Sequence, residues 1–298
     1  MSRPKSTLFG RMSRLFRQDD VSAGLGAGIA VERTVQVAAP QLGGQRALTV
    51  YLPPDYEDTP KRTWPLLVVH DGQDMDAWKL TEALARHHAV GGDTPVVAAI
   101  MAGPDRLDDY GTAGIPNVQG QGAHAAQFQS FVTDTVLPRL QHRYRLRRGP
   151  ANTAVIGASL GGLSAFDLAW RRPHVFGIMG AFSGSFWWRT DDGGVAAQQA
   201  SRIPHRRVRT TEATPALRLW FEAGTRDETA DRDGNGVIDA IQDTTELINE
   251  LVAKGLRRDR EVVYLEIPGG EHQPATWARA LPEFLAWAFP PKISHEKT

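Results

Sequence analysis

Apolar residues in this chain fall into two kinds of block. One kind is short and almost uninterrupted, as in residues 64–70, 95–102, 151–156, 178–182 and 216–223. Runs of this length predict parallel strands whose two faces are both covered. The other kind repeats every three or four residues, as Phe128, Phe131, Val132, Val136, Leu137 and Leu140 do within residues 125–145. That spacing predicts a helix with one apolar face. Further helices are predicted over 77–88, 162–171, 243–254 and 275–288, and a last strand over 261–267. Ahead of them, residues 31–37 and 46–52 alternate in strand fashion around a Gly43-Gly44 turn, and Pro53-Pro54 ends the second. Strands and helices therefore alternate along the chain. The expectation is an α/β fold in one domain: a mostly parallel central sheet, an antiparallel N-terminal edge, and helices on both faces.

Composition narrows the chemistry. The 298 residues are 41% apolar and 23% charged, an ordinary globular balance. Lys plus Arg number 34 against 34 Asp plus Glu, so no net field selects nucleic acid as a partner. There is no Cys, which excludes disulfides, thiolate catalysis, Fe–S clusters and Cys-based zinc sites. No apolar run approaches the roughly 20 residues of a transmembrane helix, and no signal segment is evident, so the expectation is a cytoplasmic protein. Residues 1–30 read as a flexible basic tail and linker, residues 31–289 as the folded domain and 290–298 as a C-terminal tail. The alternative for residues 1–20 is an amphipathic arm on a membrane surface.

The predicted strand at 151–156 runs into Gly157-Ala158-Ser159-Leu160-Gly161 and then a helix. G-x-S-x-G in that context is a nucleophile turn, with small residues where backbone approaches backbone. Ser159 needs a base and an acid, expected in the chain order Ser, acid, His. His272 stands after the last strand and before the final helix, within Gly269-Gly270-Glu271-His272. His174 reads as a helix-end residue, His205 sits among arginines that would lower its basicity, and His295 lies in the tail. For the acid, Asp227 and Glu228 compete after the 216–223 strand, and the spacing from Gly224 favours Asp227. The second amide of an oxyanion hole is expected after the 64–70 strand, which pairs the backbone of Gln73 with that of Leu160. Asp71 would border the substrate or order this loop.

Four motifs in order carry a resemblance: His70-Asp71-Gly72-Gln73-Asp74, Gly157 to Gly162, Ser183-Gly184-Ser185-Phe186-Trp187-Trp188, and Gly269-Gly270-Glu271-His272 with Trp277. Together they resemble the "putative esterase" group of α/β hydrolases, which includes siderophore (enterochelin) esterases, esterase D and the mycolyltransferases. The resemblance spans residues 31–289. It implies the α/β-hydrolase fold and carboxylic-ester hydrolysis by Ser159, His272 and an acid matching Asp227, with no cofactor in catalysis.

Other features carry two readings each. Trp187, Trp188 and Trp277 would wall an acyl or aryl pocket or pack in the core. Residues 106–110 would border the pocket, or Arg106 would form an internal ion pair. Asp231, Asp233, Asn235, Val237 and Asp239 occupy the ligand positions of an EF-hand loop, which would bind a structural Ca²⁺ with Gln242 or Asp243 closing the shell. The rival reading is an Asx-rich turn that starts a helix at Asp243. The leading function is a serine esterase acting on a small-molecule ester through an acyl-serine intermediate. The alternatives are an acyltransferase or siderophore esterase on the same fold, and a non-enzymatic calcium-responsive binding module.

Overall fold

The computed structural model describes residues 28–31 and 34–291. Most of the predicted N-terminal tail and residues 292–298 lie outside the described residues. Among the described residues nine strands form one sheet: β1 (Ala30–Val31), β2 (Val35–Ala39), β3 (Gly44–Leu52), β4 (Leu66–His70), β5 (Val96–Ile100), β6 (Thr153–Ala158), β7 (Ile178–Phe182), β8 (Arg218–Arg226) and β9 (Val262–Glu271). The order is β1-β3-β5-β4-β6-β7-β8-β9, with β2 also on β3. From β5 to β9 all pairings are parallel, while β3 is antiparallel to β1, β2 and β5. The predicted 31–37 strand is thus present as β1 and β2 along one edge of β3, with Gly43 at φ 67° in the turn that returns the chain.

The helices are α1 (Leu80–Ala89), α2 (Arg106–Asp109), α3 (Ala125–Ser130), α4 (Leu137–Arg143), α5 (Leu160–Arg171), α6 (Val195–Ala200), α7 (Ile203–Thr210), α8 (Asp239–Ala253) and α9 (Pro274–Ala288). Alternation within the apolar strands shows why they read as continuous runs. In β4, Leu66 and Val68 face one core with Phe166 of α5 and Leu247 of α8, while Leu67 and Val69 face the other with Leu84 of α1 and Phe284 of α9. Each face is dry, so both side-chain sets must be apolar. Phe182 of β7 meets Trp78 edge-on at 4.8 Å and Trp220 at 4.9 Å, and burying each such ring stabilises the fold by roughly 2–3 kcal/mol.

Several boundaries differ from the pattern. The 125–145 helix is interrupted by a π-helical segment, Phe131–Val136, between α3 and α4. Helix α8 begins at Asp239 rather than at Asp243, because Asp243 is buried and held by Arg202 and Arg232 inside the second turn. Helices α6 and α7 have no counterpart in the pattern: α6 buries no residue, and α7 is rich in arginine. The extra length of β9 carries Gly269-Gly270 alongside the end of β8, where a Cβ on Gly270 would lie 3.0 Å from the Gly224 Cα.

Candidate active site

In open parallel sheets ligands gather at the carboxyl ends of the strands. Here those ends carry unusual backbone. Asp71 after β4, Ser159 after β6 and Ser183 after β7 all have left-handed φ, at 59°, 54° and 47°. Such conformations cost about 1–3 kcal/mol each in non-glycine residues and cluster at functional sites.

Ser159 (φ 54°, ψ −126°) joins β6 directly to α5. Its amide donates to the Phe182 carbonyl at 2.9 Å, and the Gly162 amide returns to its own carbonyl at 3.0 Å. A Cβ on Gly157 would stand 2.4 Å from the Gly161 carbonyl oxygen, so the turn closes only over glycine. The neighbouring loop is tied to the turn by His70, whose Nδ1 lies 3.2 Å from the Gly161 carbonyl. A carbonyl only accepts, so Nδ1 carries the proton. Burial drives the His70 pKa down to about 4, which keeps the ring neutral. The Ser159 hydroxyl lies 3.4 Å from that of Ser185.

Ser159, Asp227 and His272 line one cavity of about 330 Å³, together with Ser183, Ser185, Trp187 and Glu228. Elsewhere, a cavity of about 140 Å³ lined by Leu66, Thr153 and His174 lies at the opposite, amino ends of β4 and β6. His272 packs edge-on against Trp277, 5.5 Å between ring centres, and Trp277 Nε1 donates to the Ser183 hydroxyl at 2.9 Å. Surrounding protein lowers the His272 pKa, an effect that Asp227 opposes and Arg106 reinforces. The ring is nonetheless open to solvent, which limits how far desolvation can depress it. Asp227 is 8% exposed, and neither carboxylate oxygen completes a hydrogen bond with the protein. Burial raises its pKa, while Ser183, the Gly224 backbone and His272 favour its anion. No direct hydrogen bond links Ser159 to His272 or His272 to Asp227 in this resting geometry, as is common before substrate tightens a site.

The chain matches the family described as "Putative esterase" over residues 39–288. It belongs to that esterase family. The protein is accordingly a carboxylic-ester hydrolase on a mixed α/β fold. An uncharacterized protein of Bacillus subtilis (strain 168), YbbA, is 24% identical over 253 residues, which cover 83% of this chain and 93% of that protein. A solved ferulic acid esterase superposes with a TM-score of 0.67 at 17% identity, covering 88% of this chain and 98% of that one. The enterobactin esterase FES of Shigella flexneri, solved in the presence of enterobactin, gives 0.69 at 19% identity over 91% of this chain and 62% of its own length. At these identities the structural likeness shows the fold. Among the described residues no helix is long and apolar enough to cross a membrane.

The remaining predicted residues of the esterase separate. Trp187 is 37% exposed and lines the cavity, whereas Trp188 is 1% exposed, with its ring against Gly111 and Gly122. Trp277 is buried behind His272 rather than in the cavity wall. Asp71 is buried and gripped by Arg106 through Nε at 2.7 Å and Nη2 at 2.8 Å. Arg106 does form an internal ion pair, with Asp71 rather than with its neighbours Asp108 and Asp109; Asp109 pairs with Arg46. The Asp71 amide donates to the Tyr110 hydroxyl at 3.1 Å, while the predicted oxyanion donors Gln73 and Leu160 stand at the starts of the helical turns that follow β4 and β6. Glu228 lies toward the first turn of α8, where the Ala240 amide favours its anion; burial, then Asp239, Asp243 and Asp227, raise its pKa.

The acidic loop spends its oxygens on the protein. Asp231 accepts the Asn235 and Gly236 amides, Asp233 accepts Gln242 Nε2, and Asp239 pairs with Arg232 at 3.1 Å. Among the described residues the one group of acids and histidine drawn close enough to share an ion is His205, Asp243 and Glu246. Its carboxylates are already neutralised by Arg202 and Arg232. His205 itself is kept neutral, first by burial and then by Arg202. In this arrangement the loop's own amides, Gln242 and Arg232 satisfy the carboxylates of the loop. Ser185 and His70 stand within the motifs named above without a role of their own, and the pattern had no signal for Glu222, which is 0% exposed beside Asp227.

Proposed function

We propose that the esterase cleaves its substrate through an acyl-serine intermediate on Ser159, with His272 as base and acid and Asp227 orienting the imidazole. The observation that carries this reading is that Ser159, in a strained strand-to-helix turn, shares one cavity with His272 and Asp227. His272 takes the Ser159 proton as Oγ attacks the carbonyl carbon. The oxyanion forms toward the amides of Leu160 and Gln73. His272 then protonates the departing alcohol, and water activated by the same ring releases the acid. The lowered His272 pKa favours the neutral ring that acts as base. Trp187, exposed at the cavity edge, favours an ester with an aryl or long acyl group.

The test is labelling with a fluorophosphonate probe. Wild type should react, Ser159→Ala should not, and Ser185→Ala should react. Labelling that survives in Ser159→Ala, or its absence in active wild type, would refute the reading.

A further inference from the structure

Glu222 sits within β8 among Leu219, Trp220, Phe221 and Ala223 and is 0% exposed. A carboxylate held away from water needs a cation or several donors. Here Oε2 faces the Ser183 hydroxyl at 3.5 Å, and Oε1 has no hydrogen-bond partner. The charged and titratable groups around it are Asp227 beyond the end of β8, Arg279 of α9 and Tyr264 of β9. The Ser183 amide and hydroxyl and, more weakly, the exposed Arg279 favour an anion, but burial and the Asp227 charge outweigh them. Ser183 links this acid to the site in two directions. Its amide donates to the Glu222 carbonyl at 2.8 Å, and its hydroxyl receives Trp277 Nε1 at 2.9 Å. Trp277 in turn presents its ring to the edge of His272.

We propose that Glu222 is a positioning residue that works as a neutral carboxylic acid, fixing His272 through Ser183 and Trp277 and leaving the negative charge of this buried corner on Asp227 alone. The inference rests on the Ser159, His272 and Asp227 reading above. Burial, then the Asp227 charge, raises the Glu222 carboxyl to about 8, so the proton is lost on the alkaline side of neutrality. An ionised Glu222 must draw in water or the Arg279 guanidinium, and Ser183 then loses its place under Trp277 and His272. Two adjacent buried carboxylates do not both ionise without such a rearrangement.

The experiment is kcat/KM for a p-nitrophenyl ester from pH 6 to 9.5, with fluorophosphonate labelling in parallel. Wild type should fall at least three-fold above about pH 8, the range that the raised carboxyl sets. Glu222→Gln, which keeps shape and neutrality, should stay within about three-fold of wild type at pH 7 and lose the alkaline fall. Glu222→Ala should lose about ten-fold or more at pH 7, since its cavity frees Ser183. The proposal is overturned if Glu222→Gln loses as much as Glu222→Ala at pH 7, or if wild type and Glu222→Gln share one alkaline profile. Should Glu222→Gln fail to fold, a flat wild-type profile between pH 7 and 9.5 overturns it just as well. Wild type that hydrolyses ester without labelling at Ser159 refutes the triad instead, which separates the two failures.

Discussion

Arg106→Met offers a measurable test of how the site is braced. Asp71 is 5% exposed, and its carboxylate receives both Nε and Nη2 of Arg106, with Gln73 Nε2 more distant at 3.3 Å. Methionine keeps much of the side-chain volume and removes the fork, leaving the anion with Gln73 alone. Stranding a fully buried charge costs about 3–5 kcal/mol. The Arg106 side chain is 31% exposed, so water reaches part of the vacated space and the cost should fall to about 1.5–3 kcal/mol. Urea unfolding followed by circular dichroism reads this directly as a lower midpoint with unchanged slope. Asp71→Asn in the same background removes the stranded charge, and Asn tolerates the left-handed backbone at this position. The double variant should recover at least half of the loss. Turnover of Arg106→Met should also fall, because the clamp holds the loop that presents the Gln73 amide. A loss below about 0.5 kcal/mol, or a double variant no more stable than Arg106→Met, would refute the reasoning.

Other tests address the site more locally. Asp227→Asn should lower kcat by several orders of magnitude, as loss of the orienting acid costs about 10⁴ in a comparable triad, while Glu228→Gln should change it less than ten-fold; the reverse pattern would transfer the role to Glu228. The acid limb of kcat/KM should lie below pH 6.5 because the folded environment lowers the His272 pKa; a limb above 6.5 would contradict the electrostatics. EGTA and millimolar Ca²⁺ should give melting temperatures equal to within about 1 °C, since Arg232 and Gln242 already satisfy Asp239 and Asp233; a calcium-dependent rise would show that the loop reorganises around the ion.

Much of the order of the fold is legible in the chain because β4, β5, β6 and β7 are buried on both faces and so are almost wholly apolar, with His70 at the end of β4 and Thr153 at the start of β6 as exceptions. The same logic hides Glu222: a single acid inside an apolar run leaves the strand signal intact, and only its packing shows that it stands next to Asp227. The positions of Ser159 and His272 at strand ends are legible from glycine-marked turns, where backbone geometry restricts residue choice. Trp188 was not separable from Trp187, since adjacent aromatic residues give no hint of which ring turns inward. The partner of Arg106 was equally hidden, because Asp71 lies 35 residues away and meets it only once β4 and β5 pair. Helices α6 and α7 escaped because their sequences are small and polar or arginine-rich, and their stability comes from contacts such as Arg202 with Asp243.

Rapid quench with a p-nitrophenyl ester tests the central claim most directly. Mixing enzyme with excess substrate, stopping in acid within the first turnover and mapping peptides by mass spectrometry should find the acyl group on Ser159. The p-nitrophenol burst should approach one equivalent per active site if deacylation is the slower step. Slowing deacylation with a bulkier acyl group should raise the trapped fraction. Full hydrolysis with no acyl adduct on Ser159 under those conditions, or an adduct on another residue that tracks turnover, would contradict the account.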